Sequence, residues 1–288
     1  MNIPFCSQTL ASGYSKWVLS SLMCVALLLG ALVYFGRTKG KDGEVASPQH
    51  PPVYCLMITG YTPARLPYAR ASVRNFLDQS YPNKHLVVVN QSADGEVLTE
   101  DEHTRDNMIE FFVDKRGKTL GELRNISLQF VPPDAVWTTW DDDDWRAPKY
   151  ITTMLEAMRE HDTSFMMFMH RLEFNRTNGH AFRLTLRSGL MTFFARQHPA
   201  LRYAHVDTSE DRSLKEYARA HLNPRVLDND PKLYVRLIHD DNTSVYVDQH
   251  RARIRDTSKN KDFFENELDD SERDLVDRVA REYYTQIR

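Results

Sequence analysis

Cysteine is scarce in this chain. Cys6, Cys24 and Cys55 are the three in 288 residues, and an odd, sparse count argues against a disulfide scaffold. A surplus of basic charge is missing as well. Lysine and arginine number 37 against 40 aspartates and glutamates, giving a formal net charge of −3. No basic stripe stands out, so nucleic acid is not an expected partner. No internal repeat is visible. What is present is an ordinary globular composition. A hydrophobic fraction of 41% is ample for a real core, and the length fits one large domain or two small ones.

From Trp17 to Phe35 charge is absent altogether, and Leu, Val, Ala and Met dominate. About 20 apolar residues span a bilayer as a helix, and Trp17 and Tyr34 sit where amphipathic rings favour the interface. A cleaved signal peptide has a shorter apolar core and a small-residue cleavage site, unlike Tyr34-Phe35-Gly36-Arg37. The run is therefore read as one transmembrane anchor over 17–36, after a tail of 1–16. Lys16 and the amino terminus precede it, while Arg37, Lys39 and Lys41 follow, a difference of one charge that is too small to fix orientation by the positive-inside rule. The expected location is an endomembrane, of Golgi or ER type or another, with the side undecided. Residues 37–52, with Pro48, Pro51 and Pro52, read as a linker.

The expected folded domain covers 53–255. Val53–Thr59 is a short apolar run stopped by Gly60, the pattern of a buried strand. Leu66, Ala69, Val73, Phe76 and Leu77 have helical spacing. His85–Val89 is a second buried strand, Leu120–Phe130 a helix and Ala135–Trp140 a third strand. Phe165–Met169 and Leu190–Phe194 read as further buried strands, the methionines serving as core. Alternating strands and helices imply an α/β fold: a Rossmann-like, mixed and mainly parallel sheet flanked by helices. Ligands bind such sheets beyond the carboxyl ends of the strands. Thr59-Gly60-Tyr61, Asn90-Gln91 and Asp141–Asp144 all fall there. Leu268, Leu275, Val276, Val279 and Tyr283 mark 256–288 as a C-terminal amphipathic helix.

Asp141, Asp142, Asp143 and Asp144 are adjacent and must repel one another. A bound divalent cation relieves that repulsion, and all-oxygen ligation suits Mg²⁺ or Mn²⁺ bridged to substrate phosphates. A solvated acidic turn is the plainer alternative, which the flanking Trp140 and Trp145 disfavour. An EF-hand lacks its glycine and late glutamate here.

Trp140-Asp141-Asp142-Asp143-Asp144-Trp145 with Pro148 resembles the metal-binding Asp-x-Asp segment of the family 2 glycosyltransferases, whose fold is called GT-A. Other segments resemble that family in the same order: Thr59-Gly60-Tyr61, Gln79–Asn83 with the strand to Asn90, Leu120–Asn125, Ser209-Glu210-Asp211, and Tyr234–His239 with Asn242-Thr243. The resemblance covers about 53–250. It implies an inverting transfer of a sugar from a UDP- or GDP-linked donor to a hydroxyl of a glycan, protein or lipid. Asp143 is then the metal ligand, with Asp141 on the ribose or the ion. Thr59, Tyr61, Asn90, Arg124, Asp141 and Asp142 form the donor side, and Asp211 with Glu210 the base. His239 is the late histidine that some relatives use as a further ligand.

Each residue has a plainer reading. Glu210-Asp211 could be an acidic pair at a helix start capped by Ser209. Arg124 could pair with Glu122 or Asp134 on the surface. A strand-end histidine is commonly structural. Asn90 and Gln91 stand where the family usually has two aspartates, which leaves the nucleotide open. Four glycosylation sequons begin at Asn90, Asn125, Asn175 and Asn242; three lie in presumed site segments and read as coincidence. A metal-dependent nucleotidyl or phosphoryl transferase, and an inactive binding module, are the competing functions.

Overall fold

The computed structural model describes residues 50–60, 62–92, 95–98, 107–114, 117–190, 192–239 and 263–282. The expected anchor, Tyr61 and the Asn242 sequon lie outside the described residues. No helix among the described residues is long and apolar enough to cross a membrane.

Two sheets carry the fold. The larger one orders its strands β10-β6-β9-β4-β1-β2-β3. These are β1 (Val53–Thr59), β2 (Lys84–Asn90), β3 (Met108–Phe112), β4 (Val136–Thr139), β6 (Phe165–Phe168), β9 (Phe193–Arg196) and β10 (Arg225–Leu227). β4, β1, β2 and β3 are mutually parallel, whereas β9 is antiparallel to both β4 and β6. The mixed, mainly parallel sheet expected from the β–α alternation is therefore present. The described helices are α1 (Leu66–Leu77), α2 (Leu120–Ser127), α3 (Tyr150–Glu160), α4 (Arg212–His221) and α5 (Asp270–Glu282).

Side chains alternate across a strand, so a strand covered on both faces reads as a continuous apolar run. β1 shows this directly. Cys55 and Met57 join a core cluster with Ala69, Val73 and Phe76 of α1 and with Ile151, Met154 and Met158 of α3. Leu56 joins the cluster on the other face with Trp137, Leu128, and Leu214 and Ala218 of α4. Burial pushes the Cys55 thiol up to about 12, which makes it an inert core residue.

The second sheet, in the order β12-β8-β7-β11-β5, was not anticipated. It consists of β5 (Trp145–Arg146), β7 (His170–Asn175), β8 (Ala181–Leu186), β11 (Tyr234–Ile238) and β12 (Phe263–Asn266). β7 and β8 pair antiparallel across a short connection. Glu173 and Arg171 interrupt their apolar pattern, but they pair with each other at 2.6 Å. A buried ion pair thus hides strand residues behind a polar sequence. The C-terminal segment also differs from expectation. It supplies β12, antiparallel to β8, before α5 packs Leu275, Val276 and Val279 against Leu172, Val235 and Leu237. Arg183 fastens α5 through Glu272 at 2.9 Å.

Candidate active site

Thr59 and Asn90 are direct neighbours in the β1–β2 register, and Leu56 pairs with Thr139 across β1–β4. Three parallel strands therefore end along one edge, and the aspartates lie just past β4. Trp140 fixes the loop. Its indole N–H donates to the Ser72 carbonyl at 3.3 Å, and its ring meets Phe76 edge-on at 5.7 Å. Below lies Arg146, 1% exposed. Its guanidinium stacks 4.1 Å from Trp140 and 5.0 Å from Tyr234, and donates to the backbone carbonyls of Asp141 and Asp144.

The four carboxylates have four different surroundings. Asp144 faces inward, accepting from the Tyr234 hydroxyl and, at 2.9 Å, from the Leu237 amide. Burial and the neighbouring Asp143 and Asp141 raise its carboxyl. It ties the loop to β11 and is itself buried. Asp142 is buried too, accepting from the Thr59 hydroxyl at 2.5 Å and from Arg65. Asp143 meets His239 Nε2 at 3.2 Å and Arg65 Nη2 at 3.1 Å. Burial pushes Asp143 up, but the His239 hydrogen bond and the Arg65 charge more than reverse this and hold it at about 2. Asp141 alone keeps a substantially exposed side chain, at 40%.

His239 arrives by way of the second sheet. β5 follows the aspartates and pairs antiparallel with β11, Trp145 opposite Val235, so His239, the residue after Ile238, comes back to the aspartate loop and meets Asp143. Its ring stacks on Tyr68 at 4.6 Å and 12°, which fixes the plane of the imidazole.

Removing the buried end of this tie has a calculable consequence. Asp144→Ala leaves the Tyr234 hydroxyl and the Leu237 amide without their acceptor. The expected loss is about 3 kcal/mol of folding stability in denaturant titrations. Asp144→Asn keeps the shape and one acceptor and should lose clearly less. Equal losses would show that packing, not hydrogen bonding, holds the loop.

Helix α2 faces the aspartates from the other side. It starts with a capping box, Thr119 accepting from the Glu122 amide while Glu122 accepts from the Thr119 amide. That occupies Glu122, and Arg124 pairs with neither it nor Asp134. Arg124 reaches Asp141 at 3.1 Å and Glu210 at 2.6 Å, with its guanidinium 5.3 Å from the Tyr203 ring. The same helix grips the segment that leads to Asp211. Asn125 exchanges two hydrogen bonds with the Tyr203 backbone, both 2.9 Å. The Gly121 amide donates to the Val206 carbonyl at 3.1 Å. A Cβ on Gly121 would stand 1.7 Å from the Ala204 carbonyl oxygen, so only glycine permits this approach.

Asp211 stands at the start of α4, but its side chain makes no capping hydrogen bond, and Ser209 has a left-handed φ of 58°. The simple capping explanation of the Glu210-Asp211 pair therefore fails. Burial raises the Asp211 carboxyl, Arg124 opposes this, and Asp141 adds to it. Asp211 and the aspartate loop thus share one electrostatic neighbourhood. Glu210 is likewise raised by burial, yet its carboxylate is closed into the pair with Arg124.

Asn90 departs from expectation. It has no exposed surface, its amide donates to the Glu96 carbonyl and to Glu110, and its oxygen accepts from the Ser92 amide. Asn90 is a strut of the strand end. The engaged amides of Asn90 and Asn125 also fit the reading of their sequons as coincidence. The sequence reading missed Arg65, Arg146 and Arg236, the buried cations around the aspartates; Arg236 is a counter-charge for Glu173, Asp144 and Asp143. No spacing rule marks them, because they come from separate elements.

Residues 62–219 match the family model described as Glycosyl transferase family 2. That is more than half of the chain, and the protein belongs to this family of glycosyltransferases. Its mixed α/β architecture is GT-A-like. Among solved structures it resembles S. aureus TarS 1-349 in complex with UDP-GlcNAc, with a TM-score of 0.55 and 14% identity over 81% of this chain and 74% of that one. The same protein in complex with UDP gives a TM-score of 0.52 and 14% identity over 81% and 73%. A mannosyltransferase of Pyrobaculum calidifontis in complex with GDP-Man and Mn²⁺ gives 0.48 and 16% over 82% and 71%. No curated protein sequence matches the chain significantly.

Proposed function

We propose that this glycosyltransferase moves a sugar from a nucleoside-diphosphate donor to an acceptor hydroxyl with inversion, using a divalent ion held by Asp143 and His239. The observation that carries the reading is the Asp143–His239 pair, on the same loop as Asp141, whose charge and that of its partner Arg124 act on Asp211. Adjacent ligands of an octahedral ion with bonds near 2.1 Å are separated by about 3 Å. Asp143 Oδ2 and His239 Nε2 are 3.2 Å apart, so the two atoms fit one coordination sphere. Among the described residues no group of three or more potential ligands surrounds one point. That suits Mg²⁺ or Mn²⁺, which keep waters and share themselves with substrate phosphates.

The ion supplies charge stabilisation for the departing diphosphate. The chain's own residues do the rest. Asp141, exposed and oriented by Arg124, is the carboxylate placed to meet the donor. Asp211 takes the proton from the acceptor hydroxyl as its oxygen attacks the anomeric carbon opposite the leaving diphosphate. Burial suits it, since a base works best with a value nearer the operating pH. Glu210 holds Arg124 and does not share this role. The apolar 17–36 run is the proposed membrane tether, and the acceptor is a glycan, protein or lipid hydroxyl.

The test is a panel of UDP- and GDP-sugars incubated with the purified protein and Mn²⁺. Release of the nucleoside diphosphate, abolished by EDTA, is the expected result. Release of pyrophosphate would show nucleotidyl transfer and overturn the reading.

A further inference from the structure

The Asp143–His239 pair already holds a cation. Arg65 lies at the end of the short 3-10 turn Pro63–Arg65 that leads into α1, with its side chain only 15% exposed. Its Nη2 is 3.1 Å from Asp143 Oδ2, and its Nη1 is 3.3 Å from His239 Nε2. The same guanidinium meets Asp142 with Nε and Nη2. His239 Nε2 has one lone pair. Either it accepts from Arg65, or Nε2 carries a proton that goes to Asp143. In both cases the position a metal requires is filled. We propose that Arg65 is a built-in competitor of the divalent ion, which must push the guanidinium off Asp143 and His239 before it binds. This inference rests on the metal-dependent reading given above.

The geometry supplies a path for that exchange. His239 is pinned by its stack on Tyr68, whose hydroxyl is in turn held by Arg176. Asp142 is fixed by Thr59. Arg65 has a long side chain and two sets of partners. It can release Asp143 and His239 and stay paired with Asp142. The displacement lowers the affinity for a free ion without leaving a buried charge bare. Arginine is suited to this part, since its planar fork spans several acceptors and never loses its proton. A lysine is a single point charge. Placed at 65 it can serve Asp142, but it cannot bridge Asp142, Asp143 and His239 together.

The experiment is titration of the purified protein with Mn²⁺ alone, following the free-ion signal by electron paramagnetic resonance. Arg65→Lys is expected to bind Mn²⁺ about tenfold or more tightly than wild type, on the scale of a charge-assisted hydrogen bond. A double variant, Arg65→Ala with Asp142→Asn, removes both members of the remaining pair and should show the same gain. It guards against a misfolded lysine variant, with thermal melting as the check. Equal or weaker Mn²⁺ binding by the folded variants overturns the inference, as does their failure to bind at all. The metal reading is judged apart from this, by titrating wild type and Asp143→Asn with Mn²⁺ in the presence of UDP or GDP. If wild type binds there and Asp143→Asn does not, metal dependence stands even where the Arg65 competition has failed.

Discussion

Asp211→Asn is expected to reduce transfer by about 10²–10⁴-fold, the usual contribution of a positioned general base, with donor affinity nearly unchanged. Asparagine keeps the size of the side chain and forms no new clash at the start of α4. Asp211 makes no capping hydrogen bond there, so the helix loses no cap by the change. The fall should therefore appear in kcat and in kcat/KM together, the sign of an interaction made only in the transition state. Mn²⁺-dependent binding of UDP or GDP by calorimetry should match wild type. A variant retaining a third or more of wild-type turnover would remove Asp211 from the mechanism.

The pH profile follows from the same group. The base must be ionised to accept a proton, and burial lifts its carboxyl above the ordinary 3.8 against the opposing charge of Arg124. Activity should therefore fall as pH drops through that raised value, placing the acid limb above 3.8. Glu210 is raised in the same direction. The assignment to Asp211 accordingly rests on geometry: Glu210 is closed into a 2.6 Å pair with Arg124, and Asp211 is not.

The order of strands and helices around the larger sheet was legible because period and composition decide it. Val53–Thr59 and Lys84–Asn90 are largely apolar runs covered on both faces, and α1 buries Leu66, Ala69, Val73 and Phe76 of its expected stripe, while Leu77 is exposed. The smaller sheet was illegible for a physical reason. Its strands carry Arg171 and Glu173, which cancel each other two residues apart, and Arg183 and Arg236, whose charges are met by Glu272 and Glu173 far away in sequence. A local window sees only polarity.

The aspartate run shows the same limit at the site. Read locally, four adjacent carboxylates call for a metal to relieve their repulsion. In the fold, Arg65, Arg124, Arg146 and Arg236 supply much of that relief. The position of the run past β4 was legible. The division of labour within it was not, since it depends on which way each side chain turns. Asp144 and Asp142 serve the scaffold, Asp141 faces out, and Asp143 meets a histidine 96 residues further along the chain.

That division makes Asp143→Asn the sharpest test of the metal. The change keeps the shape of the side chain and an oxygen for hydrogen bonding while removing the charge that a divalent ion requires. A metal is worth several kcal/mol of transition-state stabilisation, so turnover at saturating donor should fall by about 10³-fold, and Mn²⁺ titration should no longer change the rate. The loss has to be separated from a loss of folding. Asp143 is held at about 2, below its ordinary 3.8, so its pairing with His239 and Arg65 stabilises the fold at neutral pH. That contribution is present above 3.8 and disappears as pH falls toward about 2. Asp143→Asn lacks it at every pH, and its melting temperature should lie below wild type in neutral, metal-free buffer and converge with it in acid. Urea unfolding at the assay temperature then shows whether the variant is still folded where its rate is measured. A folded Asp143→Asn that responds to Mn²⁺ as wild type does would place the ion elsewhere, and with it the donor's diphosphate.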